Sequence, residues 1–140
     1  MAAIIGAAAL HTVLPLWIPL GRRMRLGLAG PLLATGIGLA AWSVASAADA
    51  DVESDSALVT SGAYALTRNP MYVGWSVGVL GLALGTGSAW LLAGWLAAVS
   101  ALDREVDVEE ARLLQRFGAA YMAYRDRVPR YLPAVPHHIP

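Results

Sequence analysis

Charge is placed along this chain in blocks, and the blocks outline helices. Residues 1–21 carry no charged side chain, and Arg22, Arg23 and Arg25 follow at once. A second charge-free run, Leu26 to Ala48, gives way to Asp49, Asp51, Glu53 and Asp55, which sit among Ala and Ser and read as a solvated loop. The third run, Asn69 to Leu102, would reach about 50 Å as one straight helix, whereas a bilayer core takes about 20 residues. Gly85-Thr86-Gly87-Ser88 near its middle is turn chemistry, so the run is expected to fold as a helical hairpin. Each arm is short for a full span, which leaves a tilted or partly re-entrant pair open. The pattern predicts an all-α fold, a polytopic membrane helical bundle of about four transmembrane helices (the last two a hairpin) plus a C-terminal amphipathic helix. One membrane domain covers 1–140: two N-terminal transmembrane helices in 1–48, the acidic loop and its continuation in 49–68, the hairpin in 69–102, and a cytosolic-side helix with its tail in 103–133.

Small residues sharpen the packing. Gly74, Gly78, Gly81 and Gly85 follow one helical face, and Gly94, Ala97, Ala98 and Ala101 make a small face on the other arm. In lipid such faces let backbones approach and gain dispersion contacts, so the two arms are expected to pack on each other, although the same stripes could drive dimer formation. Pro15, Pro19 and Pro31 end or bend helices. Between Leu102 and Phe117 the apolar positions Leu102, Val106, Leu113, Leu114 and Phe117 gather on one side of a helical wheel, and Glu110 falls inside that stripe with Glu109 at its edge.

Composition agrees with a lipid solvent. Hydrophobic residues make up 57% with a mean hydropathy of +0.54, and charged residues only 14% against roughly 25% in soluble domains. Lys plus Arg and Asp plus Glu number 10 each, and a chain of zero net charge lacks the basic surface that nucleic acid requires. There is no Cys and no Lys, which removes disulfides, thiolate catalysis and lysine Schiff bases. The first charge is Arg22, so the N-terminus is not expected to be a cleavable signal. His11, alone in an apolar helix, and His137 with His138 in a Pro-rich tail do not assemble a metal site. By the positive-inside rule, Arg68 and the six arginines after it outvote Arg22, Arg23 and Arg25, which puts the C-terminal motif on the cytoplasmic side, in a bacterial cell at the inner membrane.

Two stretches carry candidate chemistry. A carboxylate on a buried face needs a partner, so Glu110 is either half of a structural ion pair or a ligand-holding group. Local pairs such as Glu109–Arg112 and Glu105–Arg116 would make Glu109 an ordinary surface residue. Tyr121 and Tyr124 share a face and serve as interfacial anchors or ligand contacts; Pro129 and Pro133 then stop the helix around Arg130. The other stretch runs from Thr60-Ser61-Gly62-Ala63-Tyr64 to Thr67-Arg68-Asn69-Pro70-Met71-Tyr72. Asn before Pro suits a helix start, with Asn69 capping and Pro70 at the first helical position. A helix N-terminus with Arg68 beside it is also an anion site.

Together, Leu58 to Tyr64, Arg68-Asn69-Pro70-Met71-Tyr72-Val73-Gly74, the hairpin, Glu109-Glu110, Leu113, Phe117-Gly118, Tyr121, Tyr124 and Val128-Pro129-Arg130 resemble the isoprenylcysteine carboxyl methyltransferases and related phospholipid N-methyltransferases. The resemblance runs from about Leu58 to Pro133. It implies an integral membrane enzyme using S-adenosylmethionine, released as S-adenosylhomocysteine, with the cofactor held by the C-terminal half. On this resemblance Arg68, Asn69 and Pro70 with nearby backbone N–H groups face the cofactor carboxylate, and Glu110 with Glu109 its ammonium. Tyr64, Tyr72, Tyr121 and Tyr124 flank the adenine or the sulfonium. Arg68, Glu110 and Arg130 form the catalytic group, Arg130 pairing with Glu110, the cofactor or an acidic acceptor. Relatives usually carry His where this chain has Asn69, and an amide cannot act as an imidazole base. The acceptor is expected to be lipophilic and to arrive from the bilayer among membrane lipids. A carboxylate needs no general base, which favours carboxyl O-methylation of an isoprenoid or lipid acid over lipid amine N-methylation. An NADPH-dependent membrane reductase and a non-enzymatic assembly protein are the other classes; the last predicts local Glu110–Arg pairing and no cofactor-sized cavity. Oligomeric state stays open.

Overall fold

Two glycine-bearing helices form the central seam of the molecule. The computed structural model describes residues 2–53 and 58–131; Asp55, Pro133, His137 and His138 lie outside the described residues. Within them the chain is all-helical: α1 (Ala2–Val13), α2 (Arg22–Glu53), a short 3-10 turn (Gly62–Ala65), α3 (Pro70–Thr86), α4 (Ala89–Phe117) and α5 (Ala119–Arg127). The most extensive helix pairing is α2 on α3. A Cβ on Gly36 would come within 2.5 Å of the Gly78 nitrogen and 2.6 Å of the Gly74 oxygen, and one on Gly74 would sit 2.8 Å from the Ala40 nitrogen. The glycine face of α3 therefore packs on α2, and Gly94 of α4 packs on Ala3 and Ala7 of α1. This corrects the expected match of the two hairpin arms. A small stripe states that a neighbour comes close without stating which, and α2 brings Gly36 and Ala40 of its own.

The hairpin turn falls within the predicted tetrapeptide. Gly87 takes φ 73° at the C-cap of α3, a left-handed conformation that glycine adopts without a Cβ clash, and the Ser88 hydroxyl accepts the Leu91 N–H at 3.2 Å to cap α4. The segment after α1 crosses this turn: Ile18 N–H donates to the Gly87 carbonyl at 2.8 Å and Ala89 N–H to the Leu16 carbonyl at 2.9 Å. Arg25 donates to the Leu84 carbonyl at 3.4 Å, adding a second donor to an oxygen that already accepts the Gly87 N–H at 3.2 Å. Arg25 thus marks one end of the bundle and Arg68, just before α3, the other, with α3 spanning about 25 Å between them.

Three further expectations change. The backbone of α2 stays helical through Asp49, Asp51 and Glu53, where a loop was expected, because the Ala-rich segment is strongly helix-forming. The amphipathic C-terminal segment is not separate from the hairpin: α4 runs unbroken from Ala89 to Phe117, apolar as far as Leu102 and charged beyond it. Among the described residues one helical stretch, Arg22–Asp49, is long and apolar enough to cross a membrane, while Ala2–Val13 and Pro70–Thr86 are apolar but shorter. Large apolar side chains nevertheless face outward on every apolar helix, among them Ile5, Val13, Leu28, Ile37, Trp42, Leu82 and Leu96. Outward apolar side chains on so many helices suit lipid or a partner better than water.

Candidate functional site

The site forms where the charged half of α4 meets the entry to α3 and the chain after α5. Pro70 stands in the first turn of α3 without cost, since its missing N–H would have no partner there. Asn69 does not cap that helix with its side chain, contrary to expectation. Its amide instead donates to the Arg130 carbonyl at 3.1 Å, and the Thr67 hydroxyl donates to the same oxygen at 2.8 Å. The Arg68 N–H donates to the Pro129 carbonyl at 2.9 Å. These bonds lay Val128–Tyr131, an irregular strap, across the Thr67–Asn69 corner.

The strap and the corner converge on one carboxylate. Arg68 Nη2 lies 3.0 Å from Glu110 Oε1, and Arg130 Nη2 lies 2.8 Å from Glu110 Oε2. Arg130 also reaches Asp107 at 2.8 Å, and the Tyr131 hydroxyl donates to Asp103 at 2.6 Å. The Arg68 and Glu110 side chains are 10% and 13% exposed, so their attraction acts at low local dielectric. Hydrogen bonding to Glu110 raises the Arg130 pKa further above its ordinary range, and the guanidinium is permanently charged.

Beneath the ion pairs lies an aromatic floor. Tyr121 and Tyr124 are buried with Val128 against Leu58, Leu113, Leu114 and Phe117. The Tyr124 hydroxyl donates to the Tyr64 carbonyl at 2.7 Å. Burial raises the Tyr124 pKa above the ordinary phenol range, and burial with Glu109 nearby raises that of Tyr64. Tyr121 is only 1% exposed, yet its hydroxyl has no hydrogen-bond partner. Burial first and Glu110 second raise its pKa, while Arg68, Arg125 and Arg130 pull it down. Arg68 Nε and Glu110 Oε1 are likewise buried without an aligned hydrogen bond, Oε1 making only its ionic contact with Arg68. Buried polar atoms left unmatched are costly, and the unpartnered Tyr121 hydroxyl lies within the electrostatic reach of both Arg68 and Glu110.

Tyr72 and Glu109 stand beside this cluster. Tyr72, Glu105, Glu109, Arg104, Val108 and Arg112 line a charged groove of about 610 Å³. The expected Glu109–Arg112 and Glu105–Arg116 pairs are not formed; among the described residues the salt bridges all involve Arg68 or Arg130. Tyr72 also lines two apolar cavities between helices. One, about 410 Å³, is walled by Val73, Val77, Val99 and Leu102 and ends at Asp103 and Tyr131. The other, about 460 Å³, is walled by Trp75, Ala97, Ala98 and Ala101 with Ala2 and Ala3. Local Glu110–Arg pairing and cavities of ligand size thus occur together.

Asp103, Asp107 and Tyr131 were given no role from the sequence, and Thr67 figured only within its candidate stretch, without a role of its own. Asp103, Asp107 and Glu110 share one face of α4 at helical spacing, a signal for the acidic partners of the strap. Nothing local marks Thr67, whose role depends on where the strap runs.

The chain matches the phospholipid methyltransferase family over residues 24–120. It is similar to the protein-S-isoprenylcysteine O-methyltransferase of Schizosaccharomyces pombe, 38% identical over 84 residues that cover 59% of this chain and 35% of the relative. The proteins of the same name from Xenopus laevis and Homo sapiens are each 35% identical over 79 residues, 56% of this chain and 27% or 28% of the relative. The chain spans about a third of the length of these curated relatives. No solved structure matches.

Proposed function

The chain belongs to the phospholipid methyltransferase family, and on that premise we propose that it is an integral membrane, S-adenosylmethionine-dependent methyltransferase that esterifies the carboxylate of an isoprenoid or lipid acid. The observation that carries this reading is the largely buried Arg68–Glu110 ion pair, together with a Tyr121 hydroxyl buried without a hydrogen-bond partner.

The donor set fits the amino-acid end of the cofactor. Arg68 would hold its carboxylate and Glu110 its ammonium, each giving up part of an intramolecular pair for a partner of the same charge. Tyr121 would bring an unused hydroxyl. When bound, the cofactor would supply a methyl group activated by its sulfonium, with the neutral thioether of S-adenosylhomocysteine as the leaving group. The chain has then to orient the acceptor and exclude water. Tyr124, Val128, Leu113 and Phe117 form a dry floor under the ion pairs. The cavity of about 410 Å³ between α3 and α4 suits an apolar chain arriving from the bilayer. An acceptor carboxylate is ionised at neutral pH and needs no base, and Arg104 and Arg112 in the charged groove offer it counter-charge.

The same groove supports a second reading. Glu105 and Glu109 line it without arginine partners and would attract a lipid amine, which favours N-methylation. Incubating the purified protein with methyl-labelled cofactor and host lipid extract separates the two. An ester product supports the carboxylate acceptor and a methylated headgroup the amine. Absence of any labelled lipid contradicts both. Further features of the proposal are several membrane-crossing helical segments and a site on the cytoplasmic side. The long apolar α2, the outward apolar side chains and the arginine count at the Arg68 end support these two features.

A further inference from the structure

We propose that Thr67 and Asn69 are positioning residues that act through Arg130: together they clip its carbonyl and so set its guanidinium on Glu110. This rests on the cofactor site proposed above but concerns residues that would not touch the cofactor.

The clip uses two side-chain donors on one oxygen, Thr67 Oγ1 at 2.8 Å and Asn69 Nδ2 at 3.1 Å, with the Arg68 N–H on the preceding carbonyl at 2.9 Å. A carbonyl oxygen has two lone pairs, and here both are engaged by side chains from one corner of the chain. The donors are well placed for this. Thr67 is 4% exposed and Asn69 8%, and the Thr67 hydroxyl also accepts the Asn69 N–H at 3.3 Å, which fixes its rotor to donate outward to Arg130. Among the described residues, the Asn69 side chain neither caps α3 nor reaches any other partner. From the held carbonyl, the Arg130 side chain extends to Glu110 and Asp107 at 2.8 Å each, and the next residue, Tyr131, reaches Asp103. A strap without regular secondary structure has no ladder of its own to fix its register. The clip supplies that register, and a slip of one residue would remove Arg130 from Glu110. Asn69 thus acts as a neutral donor, which accounts for an amide at this corner without asking it for proton transfer.

The test is a double-mutant cycle on the full-length protein in detergent, with S-adenosylhomocysteine as the probe. Asn69→Leu and Thr67→Val remove the donors at nearly constant volume. Each is expected to weaken binding by roughly three- to tenfold, the worth of one hydrogen bond. In an Arg130→Ala background the same substitutions should change affinity by less than about twofold, because the clipped carbonyl remains but the guanidinium it positions is gone. Asn69→His, which keeps a donor, should restore most of the loss. Equal losses in both backgrounds would overturn the proposal, since a merely structural role is blind to Arg130. A second readout needs no cofactor. Amide hydrogen exchange at Arg68, whose N–H is held by the Pro129 carbonyl, should quicken in the Thr67→Val/Asn69→Leu double variant while α3 and α4 keep their protection. Unchanged exchange at Arg68 would also overturn the clip. Failure of the unaltered protein to bind S-adenosylhomocysteine would instead remove the cofactor site, and the exchange arm would still decide the clip.

Discussion

Arg68, before the first turn of α3, and Glu110, midway along the charged half of α4, meet at 3.0 Å with both side chains largely buried. Glu110 is shared, because Arg130 holds its other oxygen at 2.8 Å. The three residues therefore differ in what their loss leaves behind. Arg68→Ala leaves Glu110 with one arginine. Glu110→Ala leaves the Arg68 guanidinium with the backbone carbonyl of Arg125 as its remaining acceptor, and Arg130 with Asp107. Breaking a buried pair by removing one member costs about 3–5 kcal/mol. Glu110→Ala is expected near that range and Arg68→Ala below it, as checked by thermal unfolding in detergent. Equal destabilisation by the two would show that the sharing is not energetically real.

The α2–α3 seam predicts a different kind of sensitivity. Gly36 faces the backbone of Gly74 and Gly78, so Gly36→Leu must push two helices apart and should destabilise by about 1–3 kcal/mol. Gly38, with open space around its missing Cβ, should accept Ala with little change. Comparing the melting temperatures of the two variants checks the seam.

Tyr72 should report on the acceptor. It lines both apolar cavities and the charged groove, so Tyr72→Ala merges spaces that the phenol ring keeps apart. The expected outcome is a raised KM for the lipid acceptor, by about tenfold or more, with the affinity for S-adenosylhomocysteine changed less than about threefold; an equal loss of both would instead put Tyr72 beside the cofactor, as the resemblance implies. Steady-state kinetics with the acceptor identified from lipid extract, together with calorimetry, checks the split.

Much of the site could be seen in the sequence, and the reasons it stops there are physical. Glu110 stood out because a carboxylate interrupts an apolar stripe, and Arg68-Asn69-Pro70 because an arginine precedes a helix start. The hairpin turn was legible in Gly87-Ser88, where φ is positive and a cap is needed. What was not legible depends on tertiary choice. The stripe of Gly74, Gly78 and Gly81 states close approach, and only the fold chooses α2 over α4 as the neighbour. Surface charges on α4 looked like local pairs, yet the strap supplies arginine from a distance, and Asp107 and Glu110 take it. The acidic residues Asp49 and Asp51 looked like a loop, but an alanine-rich helix carries them.

Alkaline pH should expose the buried phenols. The pKa of Tyr121 is raised from 10.0, by burial first and by Glu110 next, so the fold favours its protonated form. Its contribution to stability is complete below pH 10 and is lost as pH rises through the higher folded value. Tyr124, raised chiefly by burial, acts in the same direction. Tyrosinate absorbance of the folded protein is expected to rise only above the ordinary phenol range, with one fewer titrating group in Tyr121→Phe. Titration of Tyr121 at the ordinary phenol value while the protein stays folded would contradict the dry floor.

The most direct measurement is calorimetric titration of S-adenosylhomocysteine into the purified protein and into Glu110→Gln, whose side chain keeps its shape and loses its charge. Saturable one-to-one binding is predicted, weakened at least about tenfold in Glu110→Gln, since a charged hydrogen bond is worth roughly 1.5–3 kcal/mol. Equal affinity in the two proteins, or no binding to either, would contradict the assignment of Arg68 and Glu110 as the grip on the cofactor.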